Sequence, residues 1–401
     1  MNILFLTELF YPHGGGAELA TYLYAKLLSE AGFNITVVTN RFPGERDFSR
    51  NKNFTIYRLP LFKRRTGIKY SLLWRLDVLL SSFVKKLIKS ATVVYIPRLW
   101  FSMIPVAKVL GKSVVVHLHD YTPICPLAIL YDSSSQAVCK GKSVCSAKCI
   151  YQFERNEKSS LVDSMLSLSL NLFAGIPLRK CVEKADAILC VSKAQRDILV
   201  EGMPTIRFKT KVVYNPLPDL SPVEIVGKDF GYFGGVNPLK GFEVLRNAMA
   251  YLNNNAVRVH VAGCPNINKR MTRSFSNIGM VLHRKLDYDE QGSFYRQIKG
   301  VIFPSIVPEP LPYVTAEAML RARVLIASKI GGIPEQTKNC KGAFLVEAGN
   351  YLELAETIEY VNGLNKETVS DLGNQNREVF TKTFNNKKTI SEFADTVYRL
   401  I

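Results

Sequence analysis

Two glutamates stand eight positions apart in an otherwise apolar stretch, Pro304-Ser305-Ile306-Val307-Pro308-Glu309-Pro310-Leu311-Pro312-Tyr313-Val314-Thr315-Ala316-Glu317-Ala318-Met319. Glu309 falls in a proline-bounded loop after the apolar run Val301–Phe303, and Glu317 falls inside the helix that follows. Prolines suit the first turn of that helix. A carboxylate on an apolar helix face must be hydrogen-bonded to something. A ribose or sugar diol is a suitable partner, and a neighbouring loop is the structural alternative. Lys240 closes a glycine-rich turn, Phe233-Gly234-Gly235-Val236-Asn237-Pro238-Leu239-Lys240-Gly241, after the run Phe230–Phe233. A lysine at a helix start opposes the helix dipole, so it either faces an anion such as a diphosphate or is simply exposed. His119 and Asp120 end the run Val114-Val115-Val116-His117-Leu118. A histidine at a strand end can bind a hydroxyl or move a proton, or be satisfied by backbone. His13-Gly14-Gly15-Gly16-Ala17-Glu18 follows the first strand. Its glycines admit a ligand closely and its helix start offers free N–H groups to an anion, although the spacing is not that of the dinucleotide fingerprint. Ser328-Lys329-Ile330-Gly331-Gly332-Ile333-Pro334-Glu335 repeats the strand–glycine–helix design.

All five segments follow strands, and the strands alternate with helical patterns. Strand runs are expected at Asn2–Thr7, Asn34–Thr39, Thr92–Ile96, Ser113–His117, Ala187–Val191 and Lys211–Val213, with helices at Ala17–Ala31 and Lys193–Val200. Three prolines in the eight residues Asn215–Pro222 read as an interdomain linker. A second set follows: Phe230–Phe233, Phe242–Leu252, Val257–Ala262, Gly300–Phe303, Val314–Leu320, Val324–Ser328 and Tyr351–Gly363. Alternation of this kind predicts the α/β class, with two doubly wound parallel sheets. Ligands of such sheets bind beyond the carboxyl ends of the strands, so the expected site is the cleft between the two domains.

Taken together and in this order, the segments resemble the retaining glycosyltransferases of family 4, whose GT-B fold pairs two Rossmann-like domains across a cleft. The likeness spans nearly the whole chain. Its most specific part is the E-x7-E signature from Glu309 to Glu317 with the block Gly331–Glu335 behind it. The resemblance implies an acceptor-binding domain at residues 1–217, with the helix 385–401 packed back on it, and a donor-binding domain at residues 218–384. It implies a nucleoside-diphosphate sugar as co-substrate and no required cofactor or metal. His119, Glu309 and Lys240 would be catalytic. Lys240 would neutralise the diphosphate, Glu309 would contact the sugar hydroxyls, Glu317 the ribose, and His119 the transferring sugar. Gly14, Gly15, Gly16, Gly234, Leu311 and Pro312 would line the donor. A lysine and helix N-termini would then stabilise the leaving group. The acceptor hydroxyl would attack from the face the diphosphate leaves, with a donor phosphate oxygen as base, so neither glutamate need be a nucleophile as in glycosidases. The sequence departs from the family pattern in three places. Gly235 stands where an arginine is usual. Ala322 and Val324, flanked by Arg321 and Arg323, stand where glycine and proline are usual. His283-Arg284 stands where a glycine is common, and His283 is expected near the base.

The chain has 401 residues, 47% hydrophobic and 21% charged, which excludes a disordered chain. No apolar run is long enough to span a membrane. Met1–Tyr11 carries Glu8 and lacks a basic start, so it reads as a strand and not a signal peptide. Eight cysteines are too few for a disulfide scaffold, and a reducing cytosol is expected. The net charge of +18 is concentrated: Arg46–Ser90 holds twelve basic and two acidic residues. Tyr70–Lys89 projects Leu72, Leu73, Leu76, Leu79, Leu80, Phe83, Val84 and Leu87 to one side. Arg75, Lys85, Lys86 and Lys89 fall on the other, with Lys63, Arg64, Arg65 and Lys69 upstream. Such a helix either lies on an anionic lipid surface, at about 1 kcal/mol per basic residue, or packs its apolar face on the sheet. Peripheral attachment to the inner membrane face is expected, with a glycan or polyprenyl-linked acceptor and a role in polysaccharide biosynthesis. Leu161–Leu178 is an acceptor-tail surface or a core helix. Cys125, Cys139, Cys145 and Cys149 hold a structural zinc, form disulfides or remain thiols. The competing functions are a sugar phosphorylase, a nucleotide-sugar epimerase and an inactive membrane-bound scaffold. A nucleic-acid binder lacks any stacking or groove-binding motif.

Overall fold

Uninterrupted Val/Ile/Leu runs mark strands buried on both faces, which only helix-covered parallel sheets provide. The structure is a computed structural model and describes residues 1–50, 54–60, 75–139, 147–157, 161–252, 257–286 and 288–401. These residues form two units, Met1–Leu217 with Asn386–Ile401, and Pro218–Asn385. Lys63, Arg64, Arg65, Lys69 and Cys145 lie outside the described residues.

The strands of the first unit are β1 (Asn2–Leu6), β2 (Asn34–Arg41), β3 (Phe48–Arg50), β4 (Thr55–Pro60), β5 (Val93–Ile96), β6 (Ser113–Leu118), β7 (Tyr131–Asp132), β8 (Ala137–Val138), β9 (Ala187–Cys190) and β10 (Thr210–Val212). Its helices before the crossing are α1 (Gly16–Glu30), α2 (Leu76–Leu80), α3 (Ser82–Ser90), α4 (Met103–Val109), α5 (Ala147–Glu157), α6 (Leu161–Val182) and α7 (Lys193–Gly202). The main sheet runs β10-β9-β6-β5-β1-β2-β4-β3, parallel except for the β3–β4 pair. Side chains alternate across it. Ile3 and Phe5 meet Tyr24 and Leu28 of α1 on one face. Leu4 and Leu6 share the other with Val84 and Ile88 of α3, Ile104 of α4 and Leu178 of α6.

The basic segment departs from the expected single helix. Tyr70–Trp74 lies outside the described residues, and from Arg75 on there are two short helices broken at Ser81, whose ψ of 117° is extended. Ser81 caps the second by accepting from the Val84 N–H. Of the apolar residues described here, Val84 and Ile88 are buried, Leu79 and Leu87 are half-buried, and Leu80 and Phe83 are exposed. Arg75 is also buried: it donates to Asp77 (2.7 Å), to Asn40 and to the Pro60 carbonyl (2.8 Å), which removes it from the basic surface. Lys86 and Lys89 are exposed and Lys85 is half-buried. Helix α6 is not a core helix throughout. Leu178 and Val182 are buried, whereas Leu161, Val162, Met165 and Ile176 are exposed.

In the second unit, β11 (Asp229–Tyr232), β12 (Val259–Val261), β13 (Met280–Leu282), β14 (Ile298–Phe303), β15 (Val324–Ser328) and β16 (Ala343–Val346) form a parallel sheet in the order β13-β12-β11-β14-β15-β16. Counted from its first strand, that order is 3-2-1-4-5-6, the doubly wound pattern, with its reversal between β11 and β14. In the first unit the reversal lies between β1 and β5. The helices here are α8 (Phe242–Leu252), α9 (Lys269–Ser276), α10 (Tyr288–Gln297), α11 (Tyr313–Leu320), α12 (Ile333–Gln336), α13 (Tyr351–Gly363) and α14 (Lys366–Thr383). The chain then returns to the first unit as α15 (Asn386–Tyr398), which places Phe393 and Val397 in the core beside Tyr24 and Tyr95.

Candidate active site

Each reversal point gathers polar side chains. In the first unit three of them stand two residues past the ends of adjacent strands: Glu8 after β1, Arg98 after β5 and Asp120 after β6. Arg98 Nε lies 3.7 Å from Glu8 and 3.4 Å from Asp120, and its Nη1 pairs with Glu18 of α1. Glu18 also accepts from the Gly15 N–H at 2.6 Å, which fixes the Gly14–Gly16 loop on this cluster. Glu8 is fully buried, and among the described residues neither of its carboxylate oxygens is hydrogen-bonded. Burial pushes its carboxyl up to about 7, against the pull of Arg98. Sequence reasoning named neither Glu8 nor Arg98 as functional. Their partners are far apart in the chain, and the available signal was the shared position two residues beyond a buried strand.

His119 follows β6 and its ring lies against that of His117, 4.5 Å between centroids. Its Nε2 is buried with no hydrogen-bond partner among the described residues. Burial, and then Arg98, push it down to about 3, so the ring is neutral near pH 7. His117 Nδ1 lies 2.9 Å from the Tyr95 hydroxyl.

In the second unit Lys240 sits in the short turn Pro238–Lys240 that precedes α8, not in the helix itself. Its ammonium lies 2.6 Å from Glu309, which also accepts from the Ser305 hydroxyl at 3.0 Å. The Glu309 backbone is held by the glycine turn after β15. Its carbonyl accepts from the Gly332 N–H at 2.8 Å, and a Cβ on Gly331 (φ +59°) would stand 2.7 Å from the Glu309 nitrogen. Leu311 and Pro312 are buried, and the Pro312 carbonyl at the start of α11 accepts from Thr315 (2.8 Å) and Gln336 (3.2 Å). Glu317, half-buried on α11, has no side-chain hydrogen bond among the described residues. Burial pushes its carboxyl up to about 7, with Arg321 opposing. Beside it the Tyr295 hydroxyl is buried with no hydrogen-bond partner among the described residues.

The departures from the family pattern have physical accounts. Gly235 has φ +58°, and a Cβ there would stand 2.5 Å from the Gly263 carbonyl, so no side chain fits at that position. Ala322 keeps a left-handed backbone (φ +55°) although it is not glycine. Arg323 is fully buried and donates to the carbonyls of Val223 (2.7 Å), Arg321 (2.8 Å) and Tyr295, so it ties backbone together and faces no ligand. Among the described residues Cys125, Cys139 and Cys149 form no disulfide, and burial pushes the Cys139 thiol up to about 11. Among the described residues no three His, Cys, Asp or Glu side chains are grouped to hold a metal ion.

An uncharacterized glycosyltransferase of Methanocaldococcus jannaschii is 29% identical over 213 residues, 51% of this chain and 57% of that protein. The chain thus spans little more than half the length of that relative. An uncharacterized 42.6 kDa protein in the cps region of Klebsiella pneumoniae is 22% identical over 370 residues, 86% of this chain and 90% of that one. Among solved structures, the sucrose-phosphate synthase of Thermosynechococcus elongatus superposes with a TM-score of 0.72 at 15% identity, covering 99% of this chain and 98% of its own. HepE of Anabaena, in complex with UDP and glucose, superposes with a TM-score of 0.67 at 17% identity, covering 99% of each chain. These likenesses carry the GT-B fold. Residues 227–361 match the family model for glycosyl transferases group 1, and residues 14–219, more than half of the chain, match that for glycosyltransferase family 4. The chain therefore belongs to glycosyltransferase family 4.

Proposed function

We propose that this protein transfers a sugar, with retention of configuration, from a nucleoside-diphosphate sugar to a glycan or lipid-linked acceptor at the cytosolic membrane face. The observation that carries the donor half is the set Lys240, Glu309 and Glu317 at the reversal point of the second sheet, with no side-chain hydrogen bond to Glu317 among the described residues. A diphosphate draws the Lys240 ammonium away from Glu309. That releases the Glu309 carboxylate to accept from sugar hydroxyls, while Glu317 accepts from the ribose. As the anomeric bond breaks, charge grows on the departing diphosphate, and Lys240 with the first-turn amides of α11 stabilises it. The acceptor hydroxyl attacks from the same face and loses its proton to a phosphate oxygen. Neutral His119 holds a hydroxyl of the transferring sugar. HepE, a structural relative solved with UDP, supports a nucleotide donor. Exposed Lys86 and Lys89 beside exposed Leu80 and Phe83 support membrane attachment, in keeping with polysaccharide biosynthesis.

A thermal-shift panel of UDP-, GDP-, ADP- and dTDP-sugars in EDTA tests the donor site. One nucleotide class is expected to raise the melting temperature. Lys240→Ala and Glu317→Ala should each weaken that class by about tenfold to a hundredfold, the scale of one lost charged hydrogen bond, without lowering the melting temperature of the free protein much. Normal donor binding by both variants would remove the assignment. Binding without turnover would favour the inactive scaffold, which the closed position at Gly235 makes the second reading.

A further inference from the structure

The amino edge of the second sheet lies opposite the edge that carries Lys240 and Glu309, and the chemistry above leaves it unused. A cavity of ≈ 440 Å³ opens there, lined by Lys228, Lys299 and Lys366 and by the apolar Ile225, Leu364 and Val369. Small-molecule sites have volumes of this order. Among the described residues no acidic side chain lines it. One wall is fixed through its backbone. The Val226 and Gly227 N–H groups donate to the Arg296 carbonyl near the end of α10, at 2.9 and 3.0 Å. A Cβ on Gly227 would collide with the Gln297 carbonyl, so only glycine brings the chain this close.

Lys299 is the residue the fold alone does not call for. It is second in β14, Ile298-Lys299-Gly300-Val301-Ile302-Phe303, all of which is buried. A buried ammonium is costly unless it is paired. Lys299 Nζ donates to the Asn362 carbonyl at 2.9 Å and to its Oδ1 at 3.1 Å, in the last turn of α13. It also lies over the Phe230 ring, 5.2 Å from the centroid. An ammonium has three N–H groups, so one is left, and among the described residues no third acceptor is within hydrogen-bond reach. The neighbouring carboxylate, Asp229, lies 2.9 Å from His260 Nε2. Burial holds Lys299 below the ordinary lysine range, with Asp229 opposing and Lys228 adding to the effect.

The other two cations are exposed, and among the described residues neither forms an ion pair. Lys366 opens α14, a helix of 18 residues whose first turn adds a partial positive charge. Asn365 caps it by accepting from the Thr368 N–H at 2.8 Å. That leaves the N–H groups of Lys366 and Glu367 without an intrahelical acceptor. Three ammonium groups and a helix start call for more than one negative charge, and a phosphate monoester carries about two near neutral pH. Lysines bind phosphate as point charges and need no planar fork. We propose that this cavity binds a small soluble phosphate monoester, the three lysines and the start of α14 holding the phosphate while Ile225, Leu364 and Val369 cover a compact apolar body. This site is separate from the donor site, because Lys299 and Phe303 stand at opposite ends of β14, about 13 Å apart.

The test is calorimetric titration of the full-length protein with phenyl phosphate, inorganic phosphate and the uncharged benzyl alcohol. Phenyl phosphate is expected to bind, inorganic phosphate at least tenfold more weakly, and benzyl alcohol not at all. Lys228→Glu with Lys366→Glu, both exposed, should weaken phenyl phosphate at least tenfold and leave UDP affinity within twofold. Lys240→Ala should do the reverse. No binding of phenyl phosphate by the wild type, or its loss in Lys240→Ala with retention in the double variant, would overturn the inference and leave the donor reading untouched. Equal affinity for inorganic and phenyl phosphate would overturn the assignment of an organic ester. Amide NMR of the unsubstituted protein gives a second readout. Phenyl phosphate is expected to shift Gly227, Lys228, Lys366 and Glu367, and shifts confined to Gly234–Lys240 and Glu309 would refute the site whatever the variants do.

Discussion

Glu8 is the residue whose cost is plainest. Its carboxyl is fully buried, unpartnered by hydrogen bonds and raised from 4.5 to about 7. The folded chain therefore holds this proton more tightly than the unfolded one. The resulting stability is complete below pH 4.5, declines as pH rises, and is gone above about pH 7. Glu8→Gln removes the titration. Urea unfolding at pH 5 and pH 8 should show the wild type losing about 1–3 kcal/mol more between the two pH values than the variant does. Equal losses would mean that Glu8 does not titrate in this range. Gly235 supports a second expectation. Restoring an arginine there places a side chain on a left-handed backbone against the Gly263 carbonyl. Gly235→Arg should cost about 1–3 kcal/mol of stability and gain no donor affinity, as read by melting and titration. At this scale the sequence was partly legible. Lys240 and Glu309 lie in two loops whose proline and glycine content is conspicuous, with Glu317 in the helix that follows the second, and the structure brings Lys240 and Glu309 into contact. The Arg98 cluster was not legible, because residues 8, 18, 98 and 120 meet only through strand adjacency.

Among elements, the turn Gly331–Gly332 supports the Glu309 loop from behind. A methyl on Gly331 would collide with the Glu309 carbonyl. Gly331→Ala should therefore reduce donor binding through Glu309 although residue 331 need touch no donor, and it should lower the melting temperature as well. A normal affinity would show that the loop is not held there. In place of one expected helix there are two short ones, and α3 carries an exposed basic edge at Lys86 and Lys89. Reversing Lys86 and Lys89 to glutamate should weaken sedimentation with anionic vesicles, at about 1 kcal/mol per charge removed, and leave donor binding unchanged. Equal sedimentation would exclude this edge as the contact. Strand and helix types followed from periodicity where the buried face is apolar, as in α8 and α13. Helix α14 escaped notice because its buried face includes Gly373 and Asn376 along with Val369 and Phe380. Asn376 is there to accept from the Gly342 N–H at 2.9 Å and to donate to the Arg323 carbonyl at 3.2 Å, which no apolar pattern announces.

For the molecule as a whole, the change of texture at Asn215–Pro222 contains the crossing at Leu217, and the two sheets have the strand orders that alternation suggests. The sequence could not reveal how strongly the first unit depends on its last segment. Phe393 and Val397 are fully buried, at roughly 1.5–3 kcal/mol each. Lys211 adds a bond to the Glu392 carbonyl at 3.1 Å, and Asn386 bonds Leu217 in both directions. Ending the chain at Asn385 should unfold or strongly destabilise the first unit while the second still binds nucleotide, as hydrogen exchange resolved by segment would show. Protection retained throughout Met1–Leu217 would contradict this. The same packing sets an order of assembly. Domains form as they leave the ribosome, and all of Pro218–Asn385 emerges before α15 does. The unit begun first is completed last, and until the final helix is made the face carrying Phe5, Tyr24 and Tyr95 lacks part of its cover, a natural stopping point for a chaperone on the nascent chain.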